Sequence, residues 1–374
     1  GMAREAAATF SGALRYPDTD IQAREGKSSD HIAVEVRNPE YCKRFVVRAV
    51  TNVKVGQSPW WLQKRLMYAG MRPINNIVDI TNFVMLEYGQ PIHAYDIREI
   101  QGCKIVVDVA KSGETFTTLD GSERKLGDNI LMINDQQKAI GIAGIMGGLE
   151  SGIVSDTTTI IVEAANFNGD NIRASSKKLG LRTEASSRFE KGIDPNLCGD
   201  AAARVCRLIE ILGAGTVMAE ALDVYPDVEL PKTCDVRVSR INSMLGIDLS
   251  REQMIDIFER LEMKASGEGD VMKVIAPTVR QDMLTEVDYV EEIARIYGYD
   301  KLPVTVPKGN LASSKSYERT LRDLARDTLC ALGCNEVQTY SFVSPKGVDL
   351  IGIGEDSWER NFVRLINPLG EENS

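Results

Sequence analysis

The sequence is poor in the residues that build metal centres and disulfide frameworks. Its 374 residues include two histidines and seven cysteines, and no two cysteines are spaced as CxxC. Scattered cysteines of odd number favour neither a disulfide framework nor a zinc site. We therefore expect reduced thiols in the interior of the protein.

The sequence also lacks long apolar runs. No stretch approaches the roughly 20 apolar residues that cross a bilayer, and no charged segment followed by an apolar one stands at the start, as in a signal peptide. Hydrophobic residues make up 43% and charged residues 26% of the chain, a balance typical of soluble globular proteins. We predict a cytoplasmic protein without a membrane partner.

Positive charge is outnumbered by negative charge, and the formal net charge is −10. This balance argues against a surface that binds nucleic acid throughout, since phosphate contacts need clustered Lys and Arg. The exception is the basic stripe at 173–195, whose cations are Arg173, Lys177, Lys178, Arg182, Arg188 and Lys191. The stripe is either a phosphate-contacting surface or a solvated face, and its residues alone favour neither.

The length predicts two or three domains, since one domain holds about 100 to 200 residues. A proline-bounded connector near 224–233 marks the clearest boundary. We predict a remnant of a preceding domain or a linker at 1–40, and then domains at 41–227, 228–304 and 305–374. The opening Gly-Met resembles a cloning remnant and the chain stops without a closing turn, so we expect an excised fragment.

Hydrophobic periodicity predicts an α+β protein. Strand patterns occur in RFVVRAVTNVKV, KIVVDVAK, NILMIND and TTTIIVEAA, and a hairpin turn is predicted at Asp120-Gly121. Helix patterns occur in PWWLQKRLMYAG, at 198–213 and at 286–297, and Ser250 with Gln253 forms a capping-box pattern before a further helix. In the last region we predict a helix from Leu321 to Leu332 and then a strand in EVQTYSFV.

The segment GIAGIMGG at 141–148 is rich in glycine. Glycines let backbone amides approach a phosphate, but the spacing fits neither GxGxxG nor GxxxxGK[ST], and no Lys-Ser or Lys-Thr follows. Over nucleotide binding we therefore favour a tight crossing of the backbone, or a pocket floor where Ala143 and Gly144 leave room for a ligand.

Glu163 lies in the apolar strand pattern IIVEAANF, so we expect its carboxylate to be half buried. On its own, this position favours a structural ion pair. If the side chain faces a cavity, it can instead accept a hydrogen bond from a ligand hydroxyl. Recognition of that kind discriminates strongly, because a ligand without the hydroxyl leaves the buried acceptor unpaired.

His93 follows a Gly-Gln-Pro break in the segment GQPIHAYD. Taken alone, such a histidine is a structural one. Together with Thr81 and Asn82 upstream it can hold a water. The sequence shows no Ser/His/Asp or Cys/His grouping, so we expect no protein nucleophile.

Four carboxylates lie near the start of the helix predicted at 286–297; they are Asp282, Asp288, Glu291 and Glu292. Residues 288, 291 and 292 share one helical face and offer hard oxygen ligands for magnesium. Acidic residues are also common near a helix start because they interact favourably with the helix dipole. Both interpretations stay open on the residues alone.

Five long segments resemble, in order, the β subunits of bacterial phenylalanine–tRNA ligases. They are RPINNIVDITNFVMLEYGQPIHAYD, GIAGIMGG, IIVEAANF, GLRTEASSRFEKGIDP and VRQDMLTEVDYVEEIARIYGYDKLP. The resemblance covers roughly residues 40–374 and matches residues 1–40 loosely. It implies an α+β multidomain fold with a β-rich B3/B4 domain and peripheral helices, a small helical B5 domain like winged DNA-binding domains, and the truncated start of a class II synthetase-like core.

For region 41–227 the resemblance implies an editing domain, which hydrolyses tyrosine wrongly attached to the phenylalanine tRNA. The implied site residues are Thr81, Asn82 and His93 around the attacking water, Ala143, Gly144, Thr183 and Ala185 around the amino acid, and Glu163 at the tyrosine hydroxyl. Such hydrolysis needs no metal, because the ester is already activated and an oriented water can suffice.

For the other regions the resemblance implies partners. The group Asp282, Asp288, Glu291 and Glu292 would hold Mg²⁺ shared with the α subunit of an α2β2 heterotetramer. The RNA substrate would be tRNA(Phe), and ATP would be used by the full enzyme and not by this fragment. The family's amino-terminal OB-fold and carboxy-terminal anticodon-contacting domain are expected outside the fragment, and no amino-acid activation is expected of it.

Two other function classes stay open on the sequence. In a non-catalytic RNA-binding or assembly module, the pocket would be residual and the basic stripe would act. A nucleotide-binding hydrolase would rest on GIAGIMGG alone. Incubation with tyrosyl-tRNA, phenylalanyl-tRNA and ATP separates the three classes, which predict selective deacylation, binding without turnover, and loss of ATP.

Overall fold

The structure is a computed structural model that describes residues 1–149, 152–306, 309 and 313–370. Residues Gly1–Val304 form one unit and Thr305–Ser374 a second. Residues 307–308, 310–312 and 371–374 of the predicted last region lie outside the described residues. Within the described ranges, no helix is both long and apolar enough to span a membrane.

Two five-stranded sheets lie in the first part of the larger unit. The strands are β1 (Ala33–Val36), β2 (Cys42–Thr51), β3 (Ile92–Asp96), β4 (Lys104–Val109), β5 (Thr115–Thr117), β6 (Glu123–Lys125), β7 (Leu131–Asn134), β8 (Ala139–Ile142), β9 (Met146–Gly147), β10 (Ile160–Phe167), β11 (Thr216–Val217) and β12 (Leu222–Val224). The first sheet has the order β1-β4-β7-β8-β9, and the second has the order β11-β2-β10-β3, with β12 also paired to β2. Strands β5 and β6 form a hairpin around the predicted turn, where Gly121 has a φ of 76°.

Strand β10 lies inside the second sheet, with β2 and β3 antiparallel to it on either side. All 8 of its residues are buried because both faces of the sheet are covered. Val162 belongs to a core shared with helices, whereas Ile161 and Ala165 belong to a core shared with the first sheet. Because side chains alternate along a strand, Glu163 projects to the same face as Ile161 and Ala165.

Helix α1 (Met2–Thr9) packs on a later part of the unit. The helices that accompany these sheets among the described residues are α2 (Trp60–Tyr68), α3 (Asn76–Tyr88), α4 (Gly169–Leu179), α5 (Glu184–Phe189) and α6 (Leu197–Ile211). Helices α3 and α6 cover one face of the second sheet, where Ile80 and Val205 share a core with Val162. Helix α3 begins after Asn75, whose side chain accepts two backbone N–H groups, and ends at Gly89 with a φ of 76°. The Gln-Pro pair that follows leads directly into β3.

Residues 1–40 make contacts within the larger unit, and their assignment to a remnant of a preceding domain or a linker stays a prediction. Ala8 of α1 is fully buried in a core formed with residues between 236 and 293. The backbone N–H groups of Gln22 and Ala23 donate to the carboxylate of Glu210 in α6. Strand β1 pairs in parallel with β4. The segment therefore contacts the two sheets and their helices as well as the core formed by residues 236–293.

A second core follows the connector near 224–233. Its elements are β13 (Lys232–Arg237), α7 (Val238–Leu245), α8 (Arg251–Arg260), β14 (Lys264–Ser266), β15 (Val271–Ala276) and α9 (Glu286–Tyr297). The strands form an antiparallel sheet in the order β13-β15-β14, and Phe258, Met272 and Tyr289 are fully buried beside it. The small domain thus combines three helices with a three-stranded sheet among the described residues, and its likeness to winged DNA-binding domains stays a prediction.

Polar contacts tie the second core to the first part of the unit. The Thr278 hydroxyl donates to the buried carboxylate of Asp194 at 2.6 Å. The side-chain amide of Gln281 donates to the backbone oxygen of Ile193 at 3.0 Å. Both acceptors lie just before α6, so the start of that helix is anchored to the small domain.

The second unit contains α10 (Tyr317–Ala331) and α11 (Gly347–Leu350) among its described residues. The predicted helix around Leu321 is confirmed. The strand predicted in EVQTYSFV is wrong, because residues 336–343 form neither strand nor helix. These residues are exposed for the most part and pair with no other strand of the described residues, and a strand needs such a partner for its backbone groups. The synthetase-like core stays a prediction.

Most other local predictions are confirmed. The four predicted strands correspond to β2, β4, β7 and β10, and the predicted helices correspond to α2, α6 and α9. Ser250 and Gln253 form the predicted capping box at the start of α8. Helices α1, α3, α4, α5, α7 and α11 are additions that the sequence did not reveal.

We expect Ser250→Ala to weaken helix α8 locally. The Ser250 hydroxyl accepts the backbone N–H of Gln253 at 3.3 Å, and loss of an N-cap costs about 1 kcal/mol. The backbone amides of α8 should then exchange with solvent about fivefold faster in hydrogen-exchange measurements. Ser266→Ala, at an exposed position of β14, is the control. Equal exchange in the two variants would contradict the expected capping contribution.

Candidate active site

A cavity lies between the first and the second sheet of the larger unit. Its walls are β3 and β10, the β8–β9 hairpin and helix α5. The polar side chains among its lining are those of His93, Tyr95 and Glu163, and the rest is apolar or glycine. The volume is about 110 Å³, roughly ten times what a single buried water needs. Convergent polar groups in an apolar hollow are typical of a ligand site.

Glu163 and His93 face this cavity from neighbouring strands. In the antiparallel pairing of β10 with β3, Glu163 lies directly opposite His93, and opposite residues project to the same face of a sheet. Tyr95 projects to that face as well, because it follows His93 by two positions. Its hydroxyl donates to Glu163 Oε2 at 2.7 Å. The predicted carboxylate and imidazole therefore share one hollow.

Glu163 is poised between its charged and neutral forms near neutral pH. Burial raises the pKa of Glu163 to about 7, and the hydrogen bond from Tyr95 offsets part of that rise. No cation pairs with the carboxylate among the described residues, and Oε1 accepts no hydrogen bond from them. The structural ion pair considered from the sequence is therefore not formed. One carboxyl oxygen is held by the protein and the other is open to a ligand.

The imidazole of His93 is neutral at neutral pH, because burial lowers its pKa to about 4. Its Nε2 is enclosed and has no hydrogen-bond partner among the described residues. The ring packs edge-on against Tyr95, with 4.3 Å between the ring centroids. A neutral imidazole carries one donor and one acceptor nitrogen. It can therefore orient a water or a ligand hydroxyl.

The glycines of the β8–β9 hairpin shape one wall of the cavity. Gly144 has a φ of +64°, and a Cβ added there would lie 2.9 Å from Phe189 Cδ2. A Cβ on Gly147 would lie 3.2 Å from His93 Cε1. Ala143 and Gly144 line the cavity as the pocket-floor prediction expected. Because this segment forms a hairpin and opens no helix, the phosphate-loop alternative lacks its structural context.

Thr183 and Ala185, at the start of α5, were both predicted to surround the amino acid, and one of them lines the cavity. Ala185 does so, together with Phe189. Thr183 caps the helix by accepting the backbone N–H of Ser186, and its hydroxyl donates to the backbone oxygen of Ile145 at 2.9 Å. Thr183 therefore ties α5 to the glycine hairpin and supports the wall from outside the cavity.

The structure does not bring Thr81 and Asn82 to the cavity. Both lie on α3, which covers the face of the second sheet opposite to Glu163. The Thr81 hydroxyl is buried and donates to the backbone oxygen of Val78 in the same helix. Ala94 and Ile92, and not His93, are the β3 residues that pack in the core shared with α3. The structure supplies no geometry for the predicted role of Thr81 and Asn82 at the water.

Tyr95 is the polar residue of the cavity lining that the sequence did not single out. One signal was present, since the two-residue spacing from His93 puts both on one face of a strand. The contact with Glu163 was not readable, because it joins residues 68 positions apart through the register of β3 with β10.

The basic stripe forms an exposed groove of about 530 Å³ beside α5; its cationic lining residues are Arg173, Lys177, Arg182 and Lys191. Arg182 lies 3.6 Å from Glu190, and the other three make no ion pair with the described residues. Arg182 and Lys191 flank the helix whose Ala185 lines the cavity. Exposed, unpaired cations can bind phosphates next to that cavity.

The predicted acidic group is not assembled as a metal site. The described residues contain no cluster of three or more His, Cys, Asp or Glu side chains placed to hold a metal. Arg280 pairs with both Asp282 and Glu292 at 2.7 Å. Asp288 accepts the backbone N–H groups of the α9 start, and Glu291 is exposed. As arranged, these carboxylates do not fit magnesium, which needs converging oxygen ligands.

Comparison with known protein families gives three matches along the chain. Residues 41–213 match the B3/4 domain. Residues 234–299 match the tRNA synthetase B5 domain. Residues 302–374 match the phenylalanyl-tRNA synthetase beta chain CLM domain. The cavity and all its lining residues lie within the first match.

Two curated relatives that match the whole length of this chain share one name. Phenylalanine–tRNA ligase beta subunits of Clostridium acetobutylicum and Clostridium tetani are 48% and 47% identical over 100% of this chain. The chain spans about half the length of these relatives, 47% in each case. A solved N-terminal fragment of the Pyrococcus horikoshii beta subunit aligns over 79% of this chain and 81% of its own at 13% identity, with a TM-score of 0.39 that supports no structural detail. On the family and sequence matches, the chain belongs to the phenylalanine–tRNA ligase β subunit family.

Proposed function

We propose that the cavity hydrolyses tyrosine wrongly esterified to tRNA(Phe), and so edits the product of tRNA aminoacylation. The observation that carries the proposal is that Glu163 and His93 face one apolar cavity from neighbouring strands. The match to the B3/4 domain and the name of the relatives support the substrate class. A cavity whose carboxylate keeps one oxygen open suits an amino acid that differs from the correct one by a single hydroxyl.

Glu163 recognises the phenol of tyrosine in this proposal. A pocket built for phenylalanine rejects one extra hydroxyl weakly, whereas a second pocket that binds the hydroxyl can select for it. Oε1 of Glu163 is the open acceptor. A phenylalanyl group would leave that oxygen unpaired in an apolar hollow, which costs binding free energy.

His93 orients the water in the hydrolytic step. The water oxygen forms a bond to the acyl carbon, the bond from that carbon to the ribose oxygen breaks, and a water proton passes to the ribose oxygen. Because the aminoacyl ester is already activated, orientation of the water contributes much of the required rate. A neutral imidazole can accept a hydrogen bond from this water without first losing a proton.

The basic groove binds phosphates of the tRNA in this proposal. We further propose that the chain acts as part of a β subunit that joins an α subunit in an α2β2 heterotetramer, located in the cytoplasm, where the full enzyme uses ATP. The names of the relatives support the partnership. No step of the editing reaction passes through magnesium.

We expect Glu163→Ala to lose the discrimination between tyrosyl-tRNA and phenylalanyl-tRNA. A hydrogen bond to a charged group contributes about 1.5 to 3 kcal/mol, so the ratio of the two single-turnover deacylation rates should fall at least about tenfold. Glu220→Ala, which removes an exposed carboxylate, is the matched control. Selective deacylation of tyrosyl-tRNA by Glu163→Ala would overturn the assigned role.

His93→Ala should slow the hydrolysis of tyrosyl-tRNA by on the order of 100-fold, because the water is no longer oriented. The tRNA dissociation constant, measured by filter binding, should stay close to that of the unaltered protein. The chain offers its other histidine as the control, and His31→Ala should leave both quantities unchanged. A normal single-turnover rate in His93→Ala would rule out the imidazole as the group that holds the water.

Reversal of charge in the groove, by Lys177→Glu with Lys191→Glu, should weaken tRNA binding by on the order of tenfold. The slope of log K against log salt should also become shallower, since fewer counterions are released. Lys54→Glu with Lys111→Glu, two exposed lysines outside the groove, is the control pair. An equal loss in both pairs would show a non-specific charge effect.

Binding without any deacylation in the unaltered chain would favour the RNA-binding module.

A further inference from the structure

Tyr95 holds one oxygen of the carboxylate that the proposed function assigns to substrate recognition. Its hydroxyl donates to Glu163 Oε2 at 2.7 Å, and its side chain is 3% exposed. The ring is fixed in the core between the sheets and against the edge of the His93 ring. A Cβ on Gly141 would lie 3.8 Å from the Tyr95 hydroxyl oxygen, at ordinary van der Waals distance, so the hydroxyl lies next to the glycine strand.

We propose that Tyr95 is a positioning residue for specificity, which keeps Oε2 of Glu163 occupied and the carboxyl charged, and presents Oε1 as the acceptor for the phenol of the substrate. The inference rests on the proposed function of the cavity. The protein's own phenol and the substrate's phenol then bind the two oxygens of one carboxylate. Each oxygen has a defined partner, and the carboxyl group is held against rotation.

The physical reason is the cost of an unpaired charge in an apolar cavity. If Oε2 loses its donor, the buried carboxylate is stabilised by neither a cation nor a hydrogen bond. The carboxyl group then takes up a proton more readily, and one of its two acceptor oxygens becomes a hydroxyl that donates. A protonated Glu163 no longer distinguishes a phenol from a phenyl ring by the same interaction.

Glu163 is the group near this cavity whose charge changes around neutral pH. The titratable side chains that face it are Tyr95 and His93 on β3 and Cys42 on β2. Burial raises the pKa of Tyr95 and of Cys42 well above their ordinary values, and it lowers the pKa of His93 to about 4. All three are therefore neutral near pH 7. The cavity lining from the β8–β9 hairpin and from α5 contains no titratable side chain.

The direction of the effect follows from the hydrogen bond. Donation by Tyr95 stabilises the charged form of Glu163 and lowers its pKa, which burial holds at about 7. Removal of the hydroxyl must therefore raise this pKa further, so that less of the carboxyl is charged at neutral pH. An increase in pH restores the charged form, and with it the acceptor.

Tyr95→Phe tests the inference, because it removes the hydroxyl and keeps the ring. The measured quantity is the ratio of tyrosyl-tRNA to phenylalanyl-tRNA deacylation rates across pH, in which the intrinsic effect of pH on ester hydrolysis cancels. The ratio should lie about fivefold below that of the unaltered chain near pH 7 and should recover to within about twofold near pH 9. Tyr41→Phe, a partly buried tyrosine packed against the same core, is the matched control and should change nothing.

A ratio equal to that of the unaltered chain at every pH would overturn the inference. So would a loss of equal size at every pH, which is the result expected from a merely structural role. If the unaltered chain itself does not prefer tyrosyl-tRNA, the proposed function fails instead. Carbon-13 NMR titration of the Glu163 carboxyl then still decides the effect of Tyr95, since Tyr95→Phe must move the midpoint upward.

Discussion

The register of β10 against β3 is the constraint on which the site depends. It sets Glu163 opposite His93 and brings Tyr95 within hydrogen-bond distance of the carboxylate. A slip of one residue would turn Glu163 toward the helices that now pack on Val162. Such a slip is opposed on both sides, because β2 pairs with the same residues of β10 and both faces of the strand are buried. The geometry of the polar site is thus fixed by apolar packing.

Burial, and not charge pairing, sets the chemistry of the cavity. Glu163 and Glu292 are both almost fully buried, at 6% and 5% exposure. Burial raises the pKa of Glu163 to about 7. It acts in the same direction on Glu292, but hydrogen bonds from Arg280 and Arg295 outweigh it and lower that pKa. One carboxylate stays available to a ligand, and the other is committed to an ion-pair network that leaves it little capacity for a metal.

The elements of the fold were readable from local patterns more often than the contacts of the site. The apolar run around Glu163 predicted a strand, and the periodic residues of α9 predicted a helix. Both predictions were possible because the pattern of apolar residues within one segment shows which faces of that element are buried. EVQTYSFV has the composition of a strand but no partner among the described residues. His93 and Thr81 are near in sequence and lie on opposite faces of a sheet, whereas Tyr95 and Glu163 are distant and hydrogen-bonded. Such pairings depend on register and face, which no single segment encodes.

The packing of α1 on the small domain has a consequence for the order of folding. Arg260 donates to the backbone oxygen of Ala8 across 252 residues, and the surface that receives Ala8 is completed by residues near 290. During synthesis, α1 leaves the ribosome before the residues that form its docking surface. The apolar side of α1 therefore stays exposed until a loop of 252 residues closes.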